Sequence, residues 1–310
     1  MAERGEGGGP VLSRALPERR RWAGAEGAIH AALLLAAGVA VLATVAIASV
    51  LFGNSLSFFT AVSPWTFYSG SVWSPDIRGL FGVLPLLVGT LVIAGGAALL
   101  GIPLGLGAAL YLREYAPAWV RSIVKPVLEI LAGVPTIVFG FFALVFVTPA
   151  LQDWFGASYF NGLSAILVIA FLIVPLVSSL SEDALAAVPS DLREGALALG
   201  ATRFEASVRV VLPAALSGIG ASCLLAFSRA VGETMVVVIA AGVHTDLHAD
   251  VLRPMTTLAG FVARRATGDL PTGSTLYQSL FAVGLTLFLM TLALNLVSDR
   301  LRARFREEYA

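Results

Sequence analysis

The sequence has little of what most chemistry needs: one cysteine, one lysine and three histidines in 310 residues. A lone cysteine, Cys223, closes no internal disulfide and builds no Cys-rich metal site, so it reads as a small packing residue. A Walker loop requires G-x-x-x-x-G-K-[ST]. The single lysine, Lys125, stands in Val124-Lys125-Pro126, so this chain has no such loop. His244 and His248 alternate with Asp246 and Asp250, and His-x3-His can suit zinc. No third ligand is placed, and a solvated loop accounts for the run; neither a metal nor a cofactor is expected. Charge is the largest shortage. Only 13% of residues are Asp, Glu, Lys or Arg and 57% are hydrophobic, whereas a soluble domain is about a quarter charged.

The shortage is uneven. No charged residue occurs in 28–52, 83–112, 130–148, 163–180 or 276–298. A sixth apolar stretch, 214–242, holds two charges, Arg229 and Glu233. About 20 apolar residues cross a bilayer, so these are six candidate spans. They leave too little chain for a sizeable soluble domain. The first run follows arginines and contains Ala46-Ile47-Ala48, like a secretory signal. It is too long for a signal core of about 7–15 residues and reads as an uncut first span. The glycine-rich residues 1–10 are expected to be disordered.

Arginines give orientation, because basic residues in short loops stay cytoplasmic. Fifteen basic residues fall in the N-terminal tail, the loops after the second and fourth segments, and the C-terminal tail. Four, Arg78, Arg253, Arg264 and Arg265, fall in the alternate loops. The split predicts both termini in the cytoplasm, and an even number of spans agrees. The first outer loop, 53–82, carries Trp65, Phe67, Tyr68 and Trp73. It reads as an interfacial aromatic anchor or a docking surface, with a short helix starting near Ser63-Pro64.

The loop between segments four and five, 190–213, reads as two short helices. Ser190 is the expected N-cap of the first, with Asp191 at its positive end. Gly200 ends it. Thr202 and Glu205 form a T-x-x-E capping box for the second, and Pro213 leads into segment five.

That loop resembles the cytoplasmic signature of ABC importer permeases, E-A-A-x3-G-x9-I-x-L-P. Here the residues are Glu194-Gly195-Ala196, then Gly200, then Val210-Val211-Leu212-Pro213 at matching spacing. Gly195 replaces an alanine and Val210 an isoleucine. Within these binding-protein-dependent inner-membrane components, Pro103-Leu-Gly-Leu-Gly-Ala-Ala-Leu-Tyr-Leu-Arg-Glu-Tyr-Ala-Pro117, Leu131-Ala-Gly-Val-Pro-Thr-Ile-Val-Phe-Gly-Phe-Phe-Ala143 and Ser228-Arg-Ala-Val-Gly-Glu-Thr-Met235 are similar to phosphate-specific transporters, C-type membrane subunit. The resemblance implies an all-α, multi-pass inner-membrane protein with six transmembrane helices, of the type I importer kind. It implies a cytoplasmic tail over 1–27, a membrane domain over 28–298 and a second tail over 299–310. Loop 190–213 would be the coupling helix, meeting an ATPase through Glu194, Ala196, Gly200, Leu212 and Pro213. Inward phosphate transport follows, with no enzymatic activity in this chain. The implied partners are a second permease of the A type, a dimer of B-type ATP-binding subunits, a periplasmic phosphate-binding protein of the S type and membrane lipid, but no nucleic acid. The alternatives are another oxyanion, such as molybdate or sulfate, or a phosphate-sensing scaffold for a signalling kinase.

Arg229 and Glu233 are costly in a membrane segment, about 2.5–3.5 kcal/mol each at the centre of an isolated helix. Their i, i+4 spacing puts them on one helical face. They read either as a self-neutralising ion pair or as an anion site, since a guanidinium fork matches phosphate oxygens. The expected substrate path is Arg229, Glu233 and Thr234, with Pro135 and Thr136. Pro85, Pro103, Pro135 and Pro175 are expected to interrupt membrane helices, either as simple kinks or as irregular backbone lining a path.

Overall fold

The computed structural model describes residues 19–268 and 270–304. Residues 1–10, expected to be disordered, and the last six residues of the C-terminal tail lie outside them. The elements in chain order are α1 (Arg19–Ala61), α2 (Pro64–Ser69), β1 (Trp73–Ser74), β2 (Leu80–Phe81), α3 (Leu84–Tyr115), α4 (Ala118–Ala132), α5 (Thr136–Phe155), α6 (Gly162–Ala186), α7 (Ser190–Ala198), α8 (Arg203–Ala214), α9 (Leu216–Val231), α10 (Val237–Ala241), α11 (Leu258–Ala266) and α12 (Thr275–Arg304). Among the described residues only β1 and β2, paired antiparallel, are not helical elements. Five helices are long and apolar enough to cross a membrane, or six if the bent pair α8–α9 is one span.

The chain divides into two units, Met1–Gly53 and Asn54–Ala310. The described part of the first unit belongs to α1. That helix has 43 residues, about 65 Å at 1.5 Å per residue, and outlasts a hydrocarbon core of about 30 Å. The apolar run marks only the part that fits in lipid.

The second unit is built on α3 and α6. Lipid offers no hydrophobic drive between helices, so small residues that let backbones approach are the favoured contact. Gly96, Gly101 and Gly105 supply that surface on α3. A Cβ at Gly101 would stand 2.6 Å from the Ala170 carbonyl oxygen, and one at Gly105 2.6 Å from Val177 Cβ. Hydroxyl pairs cross between helices, Ser181 to Ser222 and Thr148 to Ser164, each at 2.8 Å. Pro103 and Pro175 sit inside α3 and α6 as expected, whereas Pro85 falls in the first turn of α3, where its missing N–H is harmless.

Two expectations are corrected. The third apolar stretch, 130–148, is not one helix. Residues up to Ala132 close α4, and the membrane helix α5 starts at Thr136 and runs to Phe155. The uncharged faces of α4 and α5 merge in sequence, so absence of charge could not mark the joint. The aromatic loop is also not a simple anchor. Phe67 and Trp73 are buried and join Phe58, Phe81 and Phe261 in edge-to-face contacts with centroids 4.9–6.3 Å apart. Trp65 alone of the two loop tryptophans is turned outward, 80% exposed.

Candidate functional site

The elbow formed by α7 and α8 follows local rules. Pro189, extended at φ −55°, is the cap residue of α7, and no side chain caps it. Ser190 therefore is not the N-cap expected from sequence; it lies in the first turn, its hydroxyl 3.4 Å from Asp191 Oδ1. Gly200 takes φ +89°, a left-handed conformation that side chains resist. Thr202 and Glu205 then cap α8 reciprocally: Glu205 N donates to Thr202 Oγ1 at 3.2 Å, and Thr202 N donates to Glu205 Oε2 at 3.0 Å. The Thr202 backbone N–H holds the Glu205 carboxyl below its ordinary range, with the Thr202 hydroxyl adding to it. Glu194, Gly200 and Pro213 are exposed, Ala196 is half-buried, and Leu212 packs against the cluster of Leu185, Val211 and Ala215. Leu199, 92% exposed, and Phe204, 65% exposed, stand out beside Gly200. At Ala215 the chain turns by 72° from α8 into α9.

Sequence reasoning missed what fixes this elbow. Glu114, at the end of α3, is buried, and its Oε2 accepts from Arg193 of α7 at 2.7 Å and from the Ser207 hydroxyl of α8 at 2.9 Å. One carboxylate thus ties both arms of the elbow to a membrane helix. A second buried carboxylate, Glu182 of α6, pairs with Arg121 and with Lys125 of α4, the latter at 3.2 Å. Burial by itself would lower the Lys125 ammonium, but its bonds to Glu182 and Asp183 outweigh this and the net shift is upward. Both carboxylates read as ordinary loop or helix-end residues in sequence. The available signal was that each lies beside a membrane end with arginines nearby in the chain.

Segment five is broken. α9 ends at Val231, and Gly232, Glu233 and Thr234 leave the helix before the chain coils again into α10. Arg229 and Glu233 therefore do not share a helical face, and among the described residues no ion pair joins them. Glu233 is buried, and its Oε1 accepts from the Val236 backbone N–H at 3.3 Å, capping the resumed helix. Arg229 is exposed on the last turn of α9 and makes no ion pair among the described residues. Thr234 is half-buried.

Pro135 kinks no helix either; it is the cap residue of α5, with Thr136 next and half-buried. The two restarts lie side by side. A Cβ at Gly140 of α5 would sit 2.9 Å from Ile239 Cδ1 and 3.3 Å from the Met235 carbonyl oxygen. At the end of α10, the Ala240 and Ala241 carbonyls accept from Asn161 N and Met255 N, at 3.0 Å each, which pins the far end of the segment. Half-helices with irregular backbone between them occur in membranes where they line a cavity or are buried in protein. His248 bonds the Pro254 carbonyl at 3.0 Å, and no cluster of three metal ligands exists among the described residues.

Residues 101–307 match the family model described as binding-protein-dependent transport system inner membrane component. The match covers the elbow and the broken segment. The chain is 33% identical over 254 residues, 75% of its length and 77% of the relative's, to the phosphate transport system permease protein PstC of Xylella fastidiosa (strain Temecula1 / ATCC 700964). It is 32% identical over 270 residues, 86% of its length and 87% of the relative's, to the probable ABC transporter permease protein YqgH of Bacillus subtilis (strain 168). In fold it is similar to a chain of a bacterial ABC transporter involved in the import of alginate. That likeness has a TM-score of 0.62 at 16% identity, covering 94% of this chain and all of the other.

Proposed function

Since the chain belongs to the family of binding-protein-dependent transport system inner membrane components, we propose that it is the permease subunit of an ABC importer that carries inorganic phosphate inward. The phosphate assignment takes its support from relatives such as the Xylella permease, which align over three-quarters of the chain. The observation that carries the site is Arg229. A guanidinium exposed on a membrane helix, with no ion pair among the described residues, is tolerable only against a wet path or another protein surface. Its planar fork of donors suits a tetrahedral oxyanion. Thr234, Pro135 and Thr136 flank the paired helix restarts and complete the path. Glu233 acts there by capping α10 and so fixing the break.

The assembly in this reading has a second, A-type permease, two ATP-binding subunits that receive the elbow at Glu194, Ala196, Gly200, Leu212 and Pro213, and a periplasmic phosphate-binding protein. Both termini face the cytoplasm, on the strength of the arginine split. The test is phosphate uptake by membrane vesicles that contain the chain with its partners. Arg229→Lys keeps the charge and loses the fork, and uptake falls severely. Normal uptake by that variant, with normal expression, refutes the assignment of Arg229 to the path.

A further inference from the structure

Between the hairpin and α11, across the chain's first and third loops, lies a small polar cleft of about 160 Å³. It is on the membrane face opposite the elbow, since those loops alternate with loop 190–213. Trp73, Asp76, Thr245, Phe261, Arg264 and Arg265 line it. Its polar groups are unevenly matched. Asp76 pairs with Arg265 Nη2, yet the Nε–H of Arg265 is buried with no acceptor among the described residues. Trp73 is 4% exposed, and its Nε1–H, which can only donate, is also without an acceptor among the described residues. Arg264 is exposed and makes no ion pair among the described residues. Among the described residues two guanidiniums face one carboxylate, leaving one net positive charge and unmatched donors on Arg264, Arg265 and Trp73.

Buried donors without partners are uncommon in folded proteins and call for an explanation. Both arginines line the cleft from the last turn of α11, where a cation is favoured. Phe261 packs on Trp73 with centroids 4.9 Å apart and lies under the Arg265 guanidinium at 6.0 Å. The stack holds the indole and the guanidinium in place. Partial burial, with Arg265 next to it, pushes the Arg264 guanidinium below its ordinary value, and the Asp76 carboxylate offsets this only in part.

We propose that this cleft is an oxyanion site on the outer face, taking a small tetrahedral anion on Arg264, Arg265 and the Trp73 indole. The volume, room for about five waters, fits one such anion. A carboxylate on a docked protein would meet the exposed Arg264 first, whereas a free anion can reach the buried indole. The site would concentrate substrate beside the mouth of the permease.

The experiment is calorimetric titration of inorganic phosphate into the assembled transporter in lipid nanodiscs, without its binding protein. An Arg229→Gln background removes the membrane-centre arginine. Phosphate binds in that background. Arg264→Gln, which breaks no ion pair among the described residues, weakens it about tenfold or more, as for loss of a charged hydrogen bond. Trp73→Phe keeps the ring and weakens it roughly three- to tenfold. No isotherm at millimolar phosphate, or a dissociation constant unmoved by both substitutions, overturns the site. So does a silent titration in which Arg264→Gln weakens capture of the binding protein, which makes the cleft a protein contact. The inference borrows from the proposed function only its probe. Normal uptake by Arg229→Lys would remove that reading and leave this titration standing.

Discussion

Glu114 offers the sharpest perturbation, because one carboxylate oxygen serves both arms of the elbow. Glu114→Gln keeps the shape and removes the charge, so that its amide oxygen serves the two donors only as a neutral acceptor. The side chain is 3% exposed, so the loss is felt in full on its own side. Arg193 is 34% exposed and regains water once released. Loss of a charged hydrogen bond costs about 1.5–3 kcal/mol, and the exposure of Arg193 argues for the lower half of that range. With tenfold per 1.4 kcal/mol, the elbow should open roughly ten to forty times more often. Amide hydrogen exchange over 190–213 reads this opening directly. Arg193→Gln removes part of the same contact, so the double variant should exchange far less rapidly than two independent losses would give. Exchange over the elbow that is unchanged in Glu114→Gln would refute the claim that this carboxylate holds it.

Gly200→Asp forces a side chain into φ +89° at about 1–2 kcal/mol for the left-handed conformation. The variant should insert normally and lose ATP-driven uptake, and full uptake would contradict a docking role for the elbow. The Glu205 carboxyl is held below the usual glutamate range, so its cap is complete above the unfolded value and fades as pH falls through the folded one. Thermal midpoints of wild type and Glu205→Gln should therefore differ at neutral pH and converge in acid; a gap that persists there would tell against the capping box. A phosphatase reporter should be inactive when fused after Ala310 and active when inserted near Ala249, with the reverse pattern refuting the orientation.

The parts legible in sequence are those that neighbours in the chain decide. Gly200 announces its own left-handed turn, and Thr202 meets Glu205 three residues on, within one helical turn. Ser190 misled because Pro189 already supplies the extended residue before α7, so the helix begins one position sooner than a serine cap implies. The joint between α4 and α5 carries no charge to mark it. Glu114 could not be recognised as a strut, because Ser207 is 93 positions away. Nor could the break after Val231 be read from Gly232. A glycine can sit inside a helix, and the restart is packed by Gly140 of a different one. Distant packing decided the last two.

The bare guanidinium of Arg229 also bears on how the transporter is made. A lone chain in the membrane carries an uncovered charge, worth about 2.5–3.5 kcal/mol at mid-bilayer. Assembly with a subunit that shields or solvates this group returns that energy, which at 1.4 kcal/mol per tenfold strengthens association by roughly two orders of magnitude. The same residue that would meet the substrate then serves as a mark of incompleteness. An orphan chain would then be less stable than an assembled one by an amount set at one position.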